Sequence, residues 1–146
     1  MSTEFDLHWD DGEQAWTGDI VTPNIRAMLH IRTGSCEHRP SAHFCEAALS
    51  QVAKLDRTDQ RARAYLADKS QAYVLDKYHL IARPDLFTLV AVEMHAQAPA
   101  NEYALCYEVD RDPSRLWRVA VREVTPQDWI CIPRYRTMHS LRNSGE

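Results

Sequence analysis

The chain has 146 residues, 45% apolar and 26% charged, with four glycines and a formal net charge of −4. That length fits one domain spanning 1–146 with a sizeable core, and the composition excludes a disordered or low-complexity chain. Without a run of about 18 apolar residues or a basic, apolar leader, neither a membrane span nor a secretory signal is expected, and the negative charge excludes a general affinity for nucleic acid.

Residues 3–9 alternate, with Phe5, Leu7 and Trp9 on one face and Glu4, Asp6 and His8 on the other. This is the pattern of a half-buried strand. Asp10-Asp11-Gly12 supplies a turn, and residues 14–21 return as a second strand. Ile25, Ala27, Leu29 and Ile31 then alternate with Arg26, Met28, His30 and Arg32. They predict a third strand, with a short helix turning Ile25, Met28 and Leu29 inward as the alternative.

Residues 34–40 break the pattern, and Ser41 reads as a helix N-cap whose hydroxyl accepts from an orphan backbone N–H. The helix is expected over 41–55, with Phe44, Cys45, Ala48, Leu49, Val52 and Leu55 as its apolar stripe. A second helix starts after Asp56 or Thr58 and turns Ala62, Tyr65 and Leu66 inward. Residues 71–81 read either as its continuation or as a short strand.

Pro84 marks a boundary, because the residue before a proline is pushed away from helical geometry. Residues 86–94 are almost continuously apolar, as in a central strand covered on both faces. Tyr103, Leu105, Tyr107 and Val109 alternate with Glu102, Ala104, Cys106 and Glu108. After a turn at 110–114, Trp117, Val119 and Val121 alternate with Arg118, Ala120 and Arg122. The expected fold is α+β: N-terminal and C-terminal antiparallel β-meanders flanking a central helical pair, separate or joined as one continuous sheet packed on the helices.

Chemical signatures are sparse. Cys36-x-His38-x4-His43-x-Cys45 brings four potential zinc ligands together. However, residues two apart on a helix point about 200° apart, so Cys45 on the buried stripe and His43 on the solvent side cannot share an ion. Neither a metal nor any other cofactor is expected. The four cysteines (Cys36, Cys45, Cys106, Cys131) read as reduced thiols of a cytoplasmic protein. Cys106 and Cys131 are expected to serve as small buried hydrophobes. His8 and His30 fall on outward strand faces and read as surface or satisfied histidines, and an acid–base pair of Glu93 with His95 has only their proximity behind it. No nucleophile elbow and no phosphate-cradling glycine loop is present.

Charge is segregated along the chain. Residues 1–22 carry Glu4, Asp6, Asp10, Asp11, Glu13 and Asp19 without a Lys or Arg. Over 113–143, Arg115, Arg118, Arg122, Arg134, Arg136 and Arg142 face only Glu123 and Asp128. The two ends either neutralise one another or present two interfaces. The leading expectation is a small cytoplasmic bacterial binding or accessory protein without catalytic activity. It would act on a protein partner or on a second copy through Asp10, Asp11 and Glu13 on the hairpin and Arg118, Arg122, Arg134 and Arg136 on the basic face. One alternative is a small-molecule-binding or metal-assisted hydrolytic domain with a pocket between sheet and helices. Another is nucleic-acid binding through the C-terminal arginine row, weakened because Trp117 lies on the core face and cannot stack on bases.

Overall fold

A computed structural model describes residues 6–110 and 112–134 of the chain. Strands β1 (His8–Asp10), β2 (Ala15–Val21) and β3 (Arg26–Arg32) form the N-terminal meander. Helices α1 (Ala42–Val52), α2 (Leu55–Lys69) and α3 (Gln71–Tyr78) follow. Strands β4 (Phe87–His95), β5 (Glu102–Val109), β6 (Asp112–Arg122) and β7 (Thr125–Pro133) complete the fold.

All seven strands belong to one sheet in the order β1-β2-β3-β4-β5-β6-β7. The α+β class and the mainly antiparallel pairing agree with the sequence. Two separate meanders with helices lying between them do not occur. Instead β3 and β4 pair in parallel, joining the meanders into one sheet. A parallel pair needs a long crossover, and the helical segment supplies it.

The helices cover one face of this sheet. Odd positions of β3 (Ala27, Leu29, Ile31) share a core with Val92 and Met94 of β4, Leu105 and Tyr107 of β5, and Trp117 and Val119 of β6. Ala48, Leu55, Ala62, Leu66 and Val74 of the helices enter the same core. Burial of this apolar surface, at about 25 cal/mol per Å², is the main force holding helices to sheet. Trp117 is fully buried against Phe87, Tyr73 and Trp129, with ring centroids 5.4, 5.4 and 5.7 Å away. Tyr107 donates to Asp59 of α2 at 2.7 Å, and Arg63 pairs with the same carboxylate at 2.9 Å. These side chains fill the space between α2, α3 and the sheet.

Local signals explain the helix ends. The Ser41 Oγ accepts from the Phe44 N–H at 3.0 Å, as its capping position predicts. The first helix stops at Val52 rather than near 55, and Leu55 opens α2 as a buried residue. Within residues 71–81, Gln71–Tyr78 form a third helix, closed by His79 in the left-handed region at φ 57°. Gly18 sits in close packing: a Cβ there would stand 3.2 Å from Leu7 Cδ2 and 3.3 Å from the Asp6 carbonyl oxygen, so a larger residue needs its neighbours to shift.

Strand β7 is an edge whose donors are largely taken. The Arg134 N–H bonds the Ser114 carbonyl, so even positions of β7 pair with β6 while Trp129, Cys131 and Pro133 turn their backbone groups outward. Asp128 accepts the Trp129 N–H at 2.8 Å, Pro133 has no N–H, and Tyr65 donates to the Gln127 carbonyl at 3.2 Å. Among the described residues, an incoming strand would meet a broken row of donors at this edge.

Candidate functional site

The other face of the sheet carries no helix among the described residues, yet it buries charge. Even positions of β3 point there, and the register sets His30 beside Glu93, Glu93 beside Ala104 and Cys106 beside Arg118. Neighbouring strands lie about 4.8 Å apart, so β4 and β6 are separated by roughly twice that. Ala104 and Cys106 on the intervening β5 are short enough for the Arg118 side chain to cross above them. Its Nη2 reaches Glu93 Oε1 at 2.6 Å, while Arg32 Nη2 reaches Glu93 Oε2 at 2.6 Å. Cys106 Sγ donates to Glu93 Oε1 at 3.4 Å. The Glu93 side chain is only 12% exposed, with both carboxylate oxygens engaged.

Burial alone would raise the Glu93 pKa, but the Arg32 hydrogen bond and the two guanidinium charges outweigh it and hold the carboxylate below its ordinary value. Burial, with the Glu93 charge adding to it, pushes the Cys106 thiol well up. Cys106 is therefore held as a thiol, the donor to Glu93 in this cluster.

His30 is 8% exposed, and its Nδ1 is buried without a hydrogen-bond partner. That nitrogen stands 4.0 Å from Glu13 Oε1, and the Glu13 backbone carbonyl accepts from Arg32. Burial drives the His30 pKa below its ordinary 6.5; Glu13, Glu93 and Asp10 oppose this, Arg32 adds to it, and the balance stays downward. As pH falls, the unfolded chain binds this proton first, so stability is lost from about 6.5 down to the folded pKa, at no more than about 1.4 kcal/mol per pH unit. Glu93, shifted the same way, contributes stability that disappears only below its ordinary 4.5. Urea melts between pH 7 and 5 should therefore show a slope that His30→Gln flattens. An unchanged slope in that variant would remove His30 from the account.

A cavity of about 370 Å³ opens over this cluster. Asp10, Glu13, His30, Arg32, Glu93 and Arg134 supply its polar lining, and Met28, Ala91, Leu116 and Ile132 give it apolar walls. Residues of the first hairpin and of β7 meet around one cavity although their strands lie at opposite ends of the sheet order. The sheet is curled, and register shifts between β4 and β5, β5 and β6, and β6 and β7 supply the bends.

The chain matches no family model, no curated protein and no solved structure.

The residues singled out by charge are thus placed individually. Asp10 and Glu13 line the cavity, and Asp10 Oδ1 accepts the Glu13 N–H at 3.1 Å. Asp11 is exposed at the hairpin turn, where it accepts from Gln14 Nε2 at 3.1 Å. Arg118, Arg122 and Arg134 lie on the open face, paired with Glu93, Glu102 (3.1 Å) and Glu108 respectively. Arg136 lies outside the described residues. The basic residues therefore pair with acids of β4 and β5 rather than with the N-terminal ones.

His30 departs from the surface or satisfied role its outward position implied, because the curl of the sheet buries it. Glu93 binds two guanidiniums instead of pairing with His95. A signal for this existed in the sequence: Glu93 is the one charge in the apolar run 86–94, and the short Ala104 and Cys106 mark a path across β5. Cys36 is exposed, His43 is exposed on α1, and Cys45 packs against the core. No group of three or more His, Cys, Asp or Glu is placed to hold a metal ion among the described residues. No helix of the described residues is long and apolar enough to cross a membrane.

Proposed function

We propose that this is a non-catalytic binding protein whose ligand is a small, partly apolar molecule held in the cavity on the open face of the sheet. The observation that carries the reading is a sheet face that, among the described residues, carries no helix, yet buries an Arg32–Glu93–Arg118 cluster and a His30 Nδ1 without a hydrogen bond beside an apolar-walled cavity. The volume of about 370 Å³ falls within the range of small-ligand pockets. Apolar walls supply affinity, and the polar lining of Asp10, Glu13, His30 and Arg32 orients the occupant.

Binding is favoured over catalysis because the reactive groups are committed. Both Glu93 oxygens are held by guanidiniums, and the Cys106 thiol is kept protonated. Docking of a macromolecular partner on the arginine row is less favoured, since it must compete with the existing pairs to Glu93, Glu102 and Glu108. The test is a protein-observed NMR screen of small organic fragments. Hits should perturb the amides of residues 28–32 and 90–93, and Ala91→Phe, which places a ring in the cavity, should abolish them. Hits that persist in that variant, or a screen without a perturbation on these strands, would overturn the reading.

A further inference from the structure

A second cavity, of about 530 Å³, lies between α1 and the loop joining β4 to β5, and it shares no lining residue with the first. Its walls are mainly apolar: Phe44 and Ala47 from the helix, and Ala96, Ala98, Pro99 and Ala100 from the loop. Gln51 also lines it. This residue is 8% exposed, and its Oε1 is buried without a hydrogen-bond partner. A buried acceptor left unpaired is costly, and a donor brought in by an occupant would remove that cost. The terminal torsion of a glutamine side chain is broad and soft, so the amide can turn its oxygen toward such a donor.

Charge at the rim narrows the class of ligand. Glu123 is the one acidic residue lining the cavity, and its carboxylate accepts from Asn101 Nδ2 at 2.9 Å and pairs with Lys54 Nζ at 3.7 Å. The remaining ionisable lining group is His43, exposed at the start of α1. The one lining carboxylate is already paired and His43 is exposed to solvent, so burying a charged molecule against the mainly apolar walls would be unfavourable.

We propose that this cavity is a binding site for a small uncharged organic molecule, aromatic or aliphatic, that donates one N–H or O–H to Gln51. The site does not depend on the ligand proposed for the open face. Indole serves as the probe, and 1-methylindole, which has the same rings without the N–H, serves as the comparison.

In amide NMR titrations, indole should shift residues 47, 51 and 96–101 and bind about five-fold more tightly than 1-methylindole, the ratio one neutral hydrogen bond supports. Gln51→Leu should erase that preference while leaving both compounds bound. Ala98→Trp, a loop substitution that fills the cavity, should abolish binding of both. Equal affinity of the two probes in the unaltered protein would overturn the donor assignment. Shifts that survive Ala98→Trp, or no shifts up to the solubility limit of indole, would overturn the site. Fragment binding on β3 and β4 stays measurable in either variant, so failure here is distinguishable from failure of the open-face reading.

Discussion

Replacing Glu93 by alanine is expected to cost about 3 kcal/mol of folding stability, read as a lower urea midpoint at unchanged m-value. The cost comes from what remains. Arg32 and Arg118 would face each other with side chains 26% and 31% exposed and no carboxylate between them. Breaking a fully buried pair costs 3–5 kcal/mol, and partial solvent access brings the figure toward the lower end of that range. Glu93→Gln keeps the volume and one acceptor and should fall between the two proteins. The combined variant Arg32→Met, Glu93→Leu, Arg118→Met should recover most of the loss, because it removes the desolvation penalty along with the attraction. A loss below about 0.5 kcal/mol in Glu93→Ala would place the cluster among ordinary surface ion pairs.

Trp117→Ala is expected to be the most damaging single substitution in the core, at about 4–5 kcal/mol. The indole is fully buried, stacks on Trp129 at an interplanar angle of 10°, and meets Tyr73 and Phe87 edge-on at 81° and 66°. Truncation removes the area of a large ring and leaves a cavity where β4, β6, β7 and α3 meet. Against a typical total of 5–15 kcal/mol, that loss threatens the folded state itself. Trp117→Phe should cost only about 1–2 kcal/mol, since it keeps an aromatic ring and deletes an Nε1–H that is buried without a partner. Phenylalanine proving as harmful as alanine would show that the indole N–H has a hydrogen-bond partner in the folded protein.

The two substitutions separate what could be read from residues alone from what could not. Trp117 was legible as core because Trp117, Val119 and Val121 alternate with Arg118, Ala120 and Arg122, and a strand period of two assigns the faces. The Ser41 cap was legible for an equally local reason. Strand β7 was not recognised, because Trp129-Ile130-Cys131-Ile132 is apolar without alternation and Pro126 and Pro133 bracket it. Glu93 stood out as the lone charge in its apolar run, but its partners could not be read from residues alone. The members of the cluster come from β3, β4 and β6, and Arg32 is 61 residues from Glu93.

The segregation of charge shows the same division. By itself the sequence determined that acids crowd the first hairpin, that arginines crowd the C-terminal part of the chain, and which face each side chain takes where residues alternate cleanly, as in β5 and β6. Period, turn and capping signals act over a few residues and need no knowledge of the rest of the chain. Only the tertiary structure decided that β3 and β4 pair in parallel, that the sheet curls, and that Arg118, Arg122 and Arg134 meet Glu93, Glu102 and Glu108 instead of the N-terminal acids. Those outcomes depend on register between strands far apart in the chain, and register follows from burying the helix-side face as a whole.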